Sequence, residues 1–180
     1  NTFLKLMYDV RLTRIDPDHI LPYFLKRNRV LKFLDKSTII NTNFKIRTNF
    51  AEGTIGKISN SRNEFLNNII SSDYTLCYRG AANYSLRFYE TLCLGRIPLL
   101  IDTDCVFPFQ KEIDWEDICL FIKENEVEHI PEMVLDHYNS HSENQFIEKQ
   151  YYCREIWKKY LSKKGFLNQF YKVLNINILR

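Results

Sequence analysis

The spacing of apolar residues changes several times along this chain, and each change predicts an element. Leu21, Phe24 and Leu25, then Val30, Leu31 and Leu34, recur at helical spacing and predict a helix over 18–34. Asp16 or Asp18, flanking Pro17, is its natural N-terminal cap. Residues 37–46 are rich in β-branched side chains and predict a strand. Gly53, Gly56 and polar neighbours make 48–60 a loop, and 61–71 reads as a short helix. Tyr74-Thr-Leu-Cys-Tyr78 predicts a buried strand. Arg79-Gly80 then turns the chain into a helix over 85–94, which Gly95 ends. Ile97-Pro-Leu-Leu-Ile101 is a second apolar strand, stopping at Asp102.

The remainder continues the alternation. Phe107-Pro-Phe109 reads as a loop and Ile118-Cys-Leu-Phe-Ile122 as a short apolar strand. Pro131 suits the first turn of a helix running towards His137. A long amphipathic helix spans 142–161, with Phe146, Tyr151, Ile156, Trp157 and Tyr160 as core candidates. Lysines 158, 159, 163 and 164 suit its C-terminal end, Gly165 ends it, and 166–180 forms a tail that is helical in part. Strands alternating with helices predict an α/β fold: a Rossmann-like parallel sheet with helices on both faces. With 180 residues, no internal repeat and no low-complexity linker, the chain reads as one domain over 1–180.

Composition narrows the function classes. Apolar residues make up 45% and charged residues 26%, which fits a globular chain and excludes a disordered one. A net charge of +3 is too small to point to nucleic acid as a partner. No apolar run approaches the ~20 residues of a bilayer span. The chain starts at Asn1 without an initiator Met, which fits a fragment or a processed product. The five cysteines are odd in number and widely spaced, which favours free thiols in a reducing compartment over a disulfide framework. His137 and His141 stand four apart near Glu143. That is metal-ligand spacing on a helix, but the segment is polar and breaks at Asn139-Ser140, so a solvated surface is the expectation.

The candidate chemistry gathers at 79–90. In a βαβ unit, ligands sit beyond the carboxyl ends of the strands. Arg79, Gly80, Asn83, Ser85, Arg87 and Glu90 crowd that mouth. The helix start adds unpaired N–H groups and partial positive charge, which suit phosphate. Arg87 and Glu90 are three apart and share a helix face. A guanidinium for a diphosphate and a carboxylate for ribose hydroxyls form a chemically sensible pair for a nucleotide. Each residue also has a plainer role: Arg87 and Glu90 as a surface ion pair, Ser85 as a helix cap, Gly80 as relief at the turn. Asn83-Tyr84-Ser85 matches a glycosylation sequon, which a ligand mouth would not accommodate, so it is read as chance.

These residues carry a resemblance. Ser72-Asp-Tyr-Thr-Leu-Cys-Tyr-Arg-Gly80, Ser85-Leu-Arg-Phe-Tyr-Glu90 and Gly95-Arg-Ile-Pro-Leu-Leu-Ile101, in that order, resemble the C-terminal, nucleotide-sugar-binding lobe of the exostosin-like glycosyltransferases. Phe107-Pro-Phe109, Ile113-Asp-Trp115 and the helix around Trp157 extend it, as do Arg29-Val-Leu-Lys-Phe-Leu34 and Thr42-Asn-Phe44 upstream. It covers about 25–162 and is dense over 72–109. It implies one lobe of a GT-B architecture, a nucleotide-sugar donor with uracil as its base, and a glycan acceptor. It implies inversion at the anomeric carbon, with a base from a partner N-terminal lobe that a chain of this length does not hold. It leaves the compartment open between a bacterial cytoplasm or membrane surface and a eukaryotic Golgi.

Two alternatives change the ligand. A fucosyltransferase-like lobe also pairs a basic residue with a glutamate before an apolar strand, and would take a guanine nucleotide. A lobe without turnover would be a binding module only. Asp102-Thr-Asp104 is the metal-nucleotide signature of the other large glycosyltransferase fold, and two such carboxylates can hold Mg²⁺ or Mn²⁺. In the GT-B reading arginines and helix dipoles replace the ion. Asp102 and Asp104 are therefore expected to shape a turn, and no metal cofactor is expected.

Overall fold

The computed structural model describes residues 17–45, 58–80 and 82–174. Its centre is a three-stranded parallel sheet, β1 (Tyr74–Cys77), β2 (Ile97–Asp102) and β3 (Leu120–Lys123), in the order β1-β2-β3. Tyr74 stands beside Ile97, Cys77 beside Leu100 and Asp102 beside Lys123. β2 is central and apolar, with Ile97 to Ile101 all buried, as a strand covered on both faces must be. Parallel strands with helices packed on both faces make a Rossmann-like α/β lobe.

Helices α1 (Pro17–Leu34), α2 (Ile58–Ile70), α3 (Leu86–Cys93), α4 (Ile130–Asn139), α5 (Glu143–Ile156) and α6 (Lys163–Val173) accompany the sheet, and a 3-10 helix at Glu124–His129 joins β3 to α4. One core holds Phe88 and Leu92 of α3, Cys77, Leu100, Ile118 and Ile156; Phe107 stacks on Trp115 at 5.0 Å against it. The second joins Val30 and Leu34 of α1 to Leu99, Ile101, Ile122 and Ile130. Burying side chains of this size stabilises the fold by about 1.5–3 kcal/mol each. The βαβ unit at 74–102 therefore sits between two cores and is held rigidly.

Several expectations need correction. Residues 37–45 form no strand: Asn68 Nδ2 on α2 donates to the Asn43 carbonyl at 2.6 Å, and Thr42 Oγ1 to Asp35 Oδ1 at 3.1 Å, so side chains rather than a ladder hold the segment. β-branched content marks a strand only where a neighbour offers a free edge. Ile46, the Asp16 cap and most of the 48–60 loop lie outside the described residues. The third strand begins two residues late, at Leu120, because Ile118 turns into the core. Tyr151 is 69% exposed and contributes nothing to the core, whereas Cys153 is fully buried on the same helix.

Gly165 does not end the long helix. α5 is capped by a Ser142–Gln145 capping box and passes at Trp157–Leu161 into a wider π turn. Ser162 breaks the run and caps α6, accepting from the Gly165 N–H at 3.0 Å. Gly165 lies inside α6, where a Cβ would come within 2.3 Å of the Lys158 carbonyl oxygen. Its role is close approach. Gly95 does end α3, in the left-handed region at φ 64°.

Candidate functional site at the mouth of the βαβ unit

The turn after β1 and the turn after β2 are joined by one side chain. Asn83 Nδ2 donates to the Thr103 and Asp104 carbonyls at 3.0 and 3.2 Å, and Thr103 Oγ1 donates back to Asn83 Oδ1 at 2.7 Å. This ties together the carboxyl ends of two adjacent parallel strands, where open α/β sheets bind ligands. With its amide engaged there, Asn83 acts as a brace. Asp102 Oδ1 accepts the Asp104 N–H at 2.9 Å, and Asp104 adopts φ 56°. Asp-x-Asp here is a side-chain-closed turn with one left-handed residue, a conformation Asp tolerates.

Ser85 occupies the N-cap position of α3 with extended backbone, but its side chain makes no capping hydrogen bond. A Cβ on Gly80 would meet nothing within 4 Å, and its φ is not left-handed, so the expected backbone constraint at that turn is absent. The helix forms because Phe88, Thr91 and Leu92 share one buried face, while Thr91 Oγ1 donates to the Arg87 carbonyl at 2.7 Å.

Arg87 and Glu90 leave that helix together but do not pair with each other. Glu90 Oε1 accepts from Arg62 Nη1 of α2 at 3.1 Å. Arg87 lies over the Phe65 ring of α2, its guanidinium carbon 5.2 Å from the centroid, and Arg62 flanks the same ring at 5.3 Å. Arg79 is directed elsewhere, stacked 3.8 Å over Tyr23 of α1. Next to it Tyr78 donates its hydroxyl to Glu124 Oε1 at 2.6 Å, and Lys26 Nζ reaches Glu124 Oε2 at 2.9 Å. Burial raises the Glu124 carboxyl, but the bonds from Tyr78 and Lys26 outweigh it and hold the group below the usual range; burial first, and the bond to Glu124 second, push the Tyr78 hydroxyl up. α1 is thereby anchored to the sheet beside the mouth.

A cavity of about 650 Å³ opens between α1, the 39–44 segment, β1 and α4. Of the six residues expected at the site, Arg87 lines it; Arg79, Gly80, Asn83, Ser85 and Glu90 do not. Arg27, Arg62, Phe65, Tyr23 and Glu124 were not anticipated. Arg62 and Phe65, three apart on an amphipathic helix, carried a weak signal; Arg27 carried none. His137 and His141 are not a metal pair: Tyr74 Oη meets His137 Nδ1 at 2.6 Å, and His141 Nδ1 meets the His137 carbonyl at 2.7 Å. Among the described residues no cluster of acids, histidines and cysteines could hold a metal, and all five cysteines are free. Among them, too, no helix is long and apolar enough to cross a membrane.

Parallel strands with helices on both faces define the class of a Rossmann-like α/β lobe. The Exostosin GT47 domain matches residues 30–136, and the chain belongs to that family of glycosyltransferases. It is 30% identical over 93 residues to the "Exostosin-1 homolog" of Caenorhabditis elegans, covering 52% of this chain and 23% of the relative. It is 40% identical over 57 residues to the "Probable beta-1,4-xylosyltransferase IRX10L" of Arabidopsis thaliana, covering 32% and 14%. It is 41% identical over 54 residues to the "Probable glucuronosyltransferase GUT1" of Oryza sativa subsp. japonica, covering 30% and 13%. Each match spans less than a quarter of the relative's length.

Proposed function

We propose that this chain is the donor-binding lobe of an exostosin-like glycosyltransferase and holds a nucleoside diphosphate sugar, with uracil as its base, for transfer to a glycan acceptor. The observation that carries the reading is Arg87 and Glu90, one turn apart on α3, at the carboxyl end of β1 within the family segment. Arg87 supplies a forked cation to the diphosphate and Glu90 an acceptor to the ribose hydroxyls. The start of α3 at Ser85 adds positive potential on the same side, and Gly80 leaves open space for a ligand. In the transfer, an acceptor hydroxyl attacks the anomeric carbon, the bond to the diphosphate oxygen breaks, and the nucleoside diphosphate leaves. Fixed positive charge at that oxygen lowers the barrier by stabilising the charge that develops there.

The base that takes the acceptor proton comes from a partner lobe, and the chemistry inverts the anomeric centre. No metal is required: Asp102 is used inside its own turn, and the guanidinium groups neutralise the diphosphate. The test is thermal unfolding with UDP, GDP and their sugars, each with EDTA and with Mn²⁺. UDP at a hundred times its dissociation constant is expected to add about 2.7 kcal/mol of stability with EDTA present. Stabilisation by GDP alone would move the base to guanine. Stabilisation only with Mn²⁺ would return Asp102 and Asp104 to a metal role. No stabilisation by any nucleotide would remove the donor-lobe reading.

A further inference from the structure

Two arginines from distant parts of the chain line one cavity. Arg27 comes from α1, outside the segment that matches the family, and Arg87 from α3, inside it. Like charges brought together away from bulk water repel: burial lowers the proton affinity of Arg27 first and the neighbouring Arg87 cation second. Glu90, the acid nearest in sequence to Arg87, is engaged with Arg62. Asp73 is the single carboxylate among the described lining residues. A half-buried pair of cations lining one cavity is a feature that an anionic ligand with several oxygens would satisfy.

We propose that Arg27 and Arg87 jointly bind a diphosphate in the cavity between α1 and β1. The identity of that diphosphate as part of the sugar donor rests on the donor-lobe reading; the anion site itself does not. Two forked guanidinium groups match the two phosphoryl groups better than one. At about 650 Å³ the cavity has room for more than the diphosphate, within the range of small-ligand sites. Arg27 thus becomes a binding residue outside the segment that matches the family.

The experiment is calorimetric titration of the full chain with inorganic pyrophosphate, UDP and uridine, in the parent and in Arg27→Gln, Arg87→Gln and Arg27→Lys. Either glutamine variant is expected to weaken pyrophosphate and UDP at least tenfold and to leave uridine unchanged. Arg27→Lys keeps the charge, loses the fork and falls between. Because the two cations repel in the free protein, Arg27→Gln should melt no lower than the parent, which a purely structural arginine would not allow. Parental pyrophosphate affinity in Arg27→Gln, or no pyrophosphate binding by the parent, overturns the proposal. UDP binding that needs Arg87 but not Arg27 sinks this inference and keeps the donor reading. Pyrophosphate binding that needs Arg27, with UDP no tighter than pyrophosphate, keeps the anion site and sinks the donor reading.

Discussion

Arg62 on α2 donates to Glu90 on α3 at 3.1 Å, so the carboxylate assigned to ribose is held by a neighbouring helix rather than by Arg87 on its own. The pair is half-exposed, with side-chain exposures of 57% and 34%, and such pairs contribute about 0–1 kcal/mol. Its main effect is to aim Glu90. Arg62→Ala should leave the melting temperature close to that of the parent. Glu90→Gln should cost UDP and uridine about 1.5–3 kcal/mol of binding and leave pyrophosphate unchanged. Calorimetry with the three ligands checks this; equal losses for pyrophosphate and uridine would place Glu90 away from the ribose.

Asn83 joins the turns after β1 and β2 through three hydrogen bonds. Asn83→Ala should lower folding stability by about 1 kcal/mol, the net worth of an ordinary hydrogen bond on a surface side chain. Donor affinity should fall further than the stability does, because the mouth loses its brace. Paired urea unfolding and UDP titration measure both. A variant that binds UDP like the parent would show that the mouth does not depend on this tie.

Gly165 has a steric reason to be glycine. A Cβ there would lie 2.3 Å from the Lys158 carbonyl oxygen and 2.7 Å from Lys159 backbone atoms. Gly165→Ala must push α6 away from the π turn and should destabilise the chain by about 1–3 kcal/mol, as overpacking does. Ordinarily Gly→Ala inside a helix stabilises by up to about 1 kcal/mol, so the sign of the change in a urea titration decides between the two. A more stable variant would mean that α6 does not pack there.

His137 couples stability to pH. Its proton affinity is lowered from 6.5 to about 4, first by burial, then by Lys149 and His141, while Tyr74 Oη meets its Nδ1. Between those values the unfolded chain carries a proton that the folded chain does not. Stability therefore rises with pH across this window: it is complete above 6.5 and falls as the pH drops towards 4. At this half-exposed site the loss between pH 7 and 5 should be about 1 kcal/mol once solvent screening is allowed for. His137→Gln keeps a partner for Tyr74 and should flatten that slope. An unchanged slope in urea midpoints would assign it to other groups.

Periodicity alone determined the centre of this molecule. The βαβ unit at 74–102 is legible because each of its signals is local. An apolar strand, a helix with one buried face at Phe88 and Leu92, a left-handed Gly95 and a second apolar strand need no distant partner to be read. The motif order over 72–101 likewise placed the chain in its glycosyltransferase family, since motifs are strings. Three things were decided only by the tertiary structure, because each depends on what stands opposite. Residues 37–45 have strand composition but meet side chains of α2 instead of a sheet edge. Gly165 is a helix terminator by rule and a contact point in fact, because the π turn brings the Lys158 carbonyl onto it. Glu90 faces Arg62, and Arg87 shares a cavity with Arg27 sixty residues upstream, because packing brings α2 beside α3 and α1 beside β1. Partners brought together by packing over that distance leave no period in the sequence, so the charge environment of the site had to come from the fold.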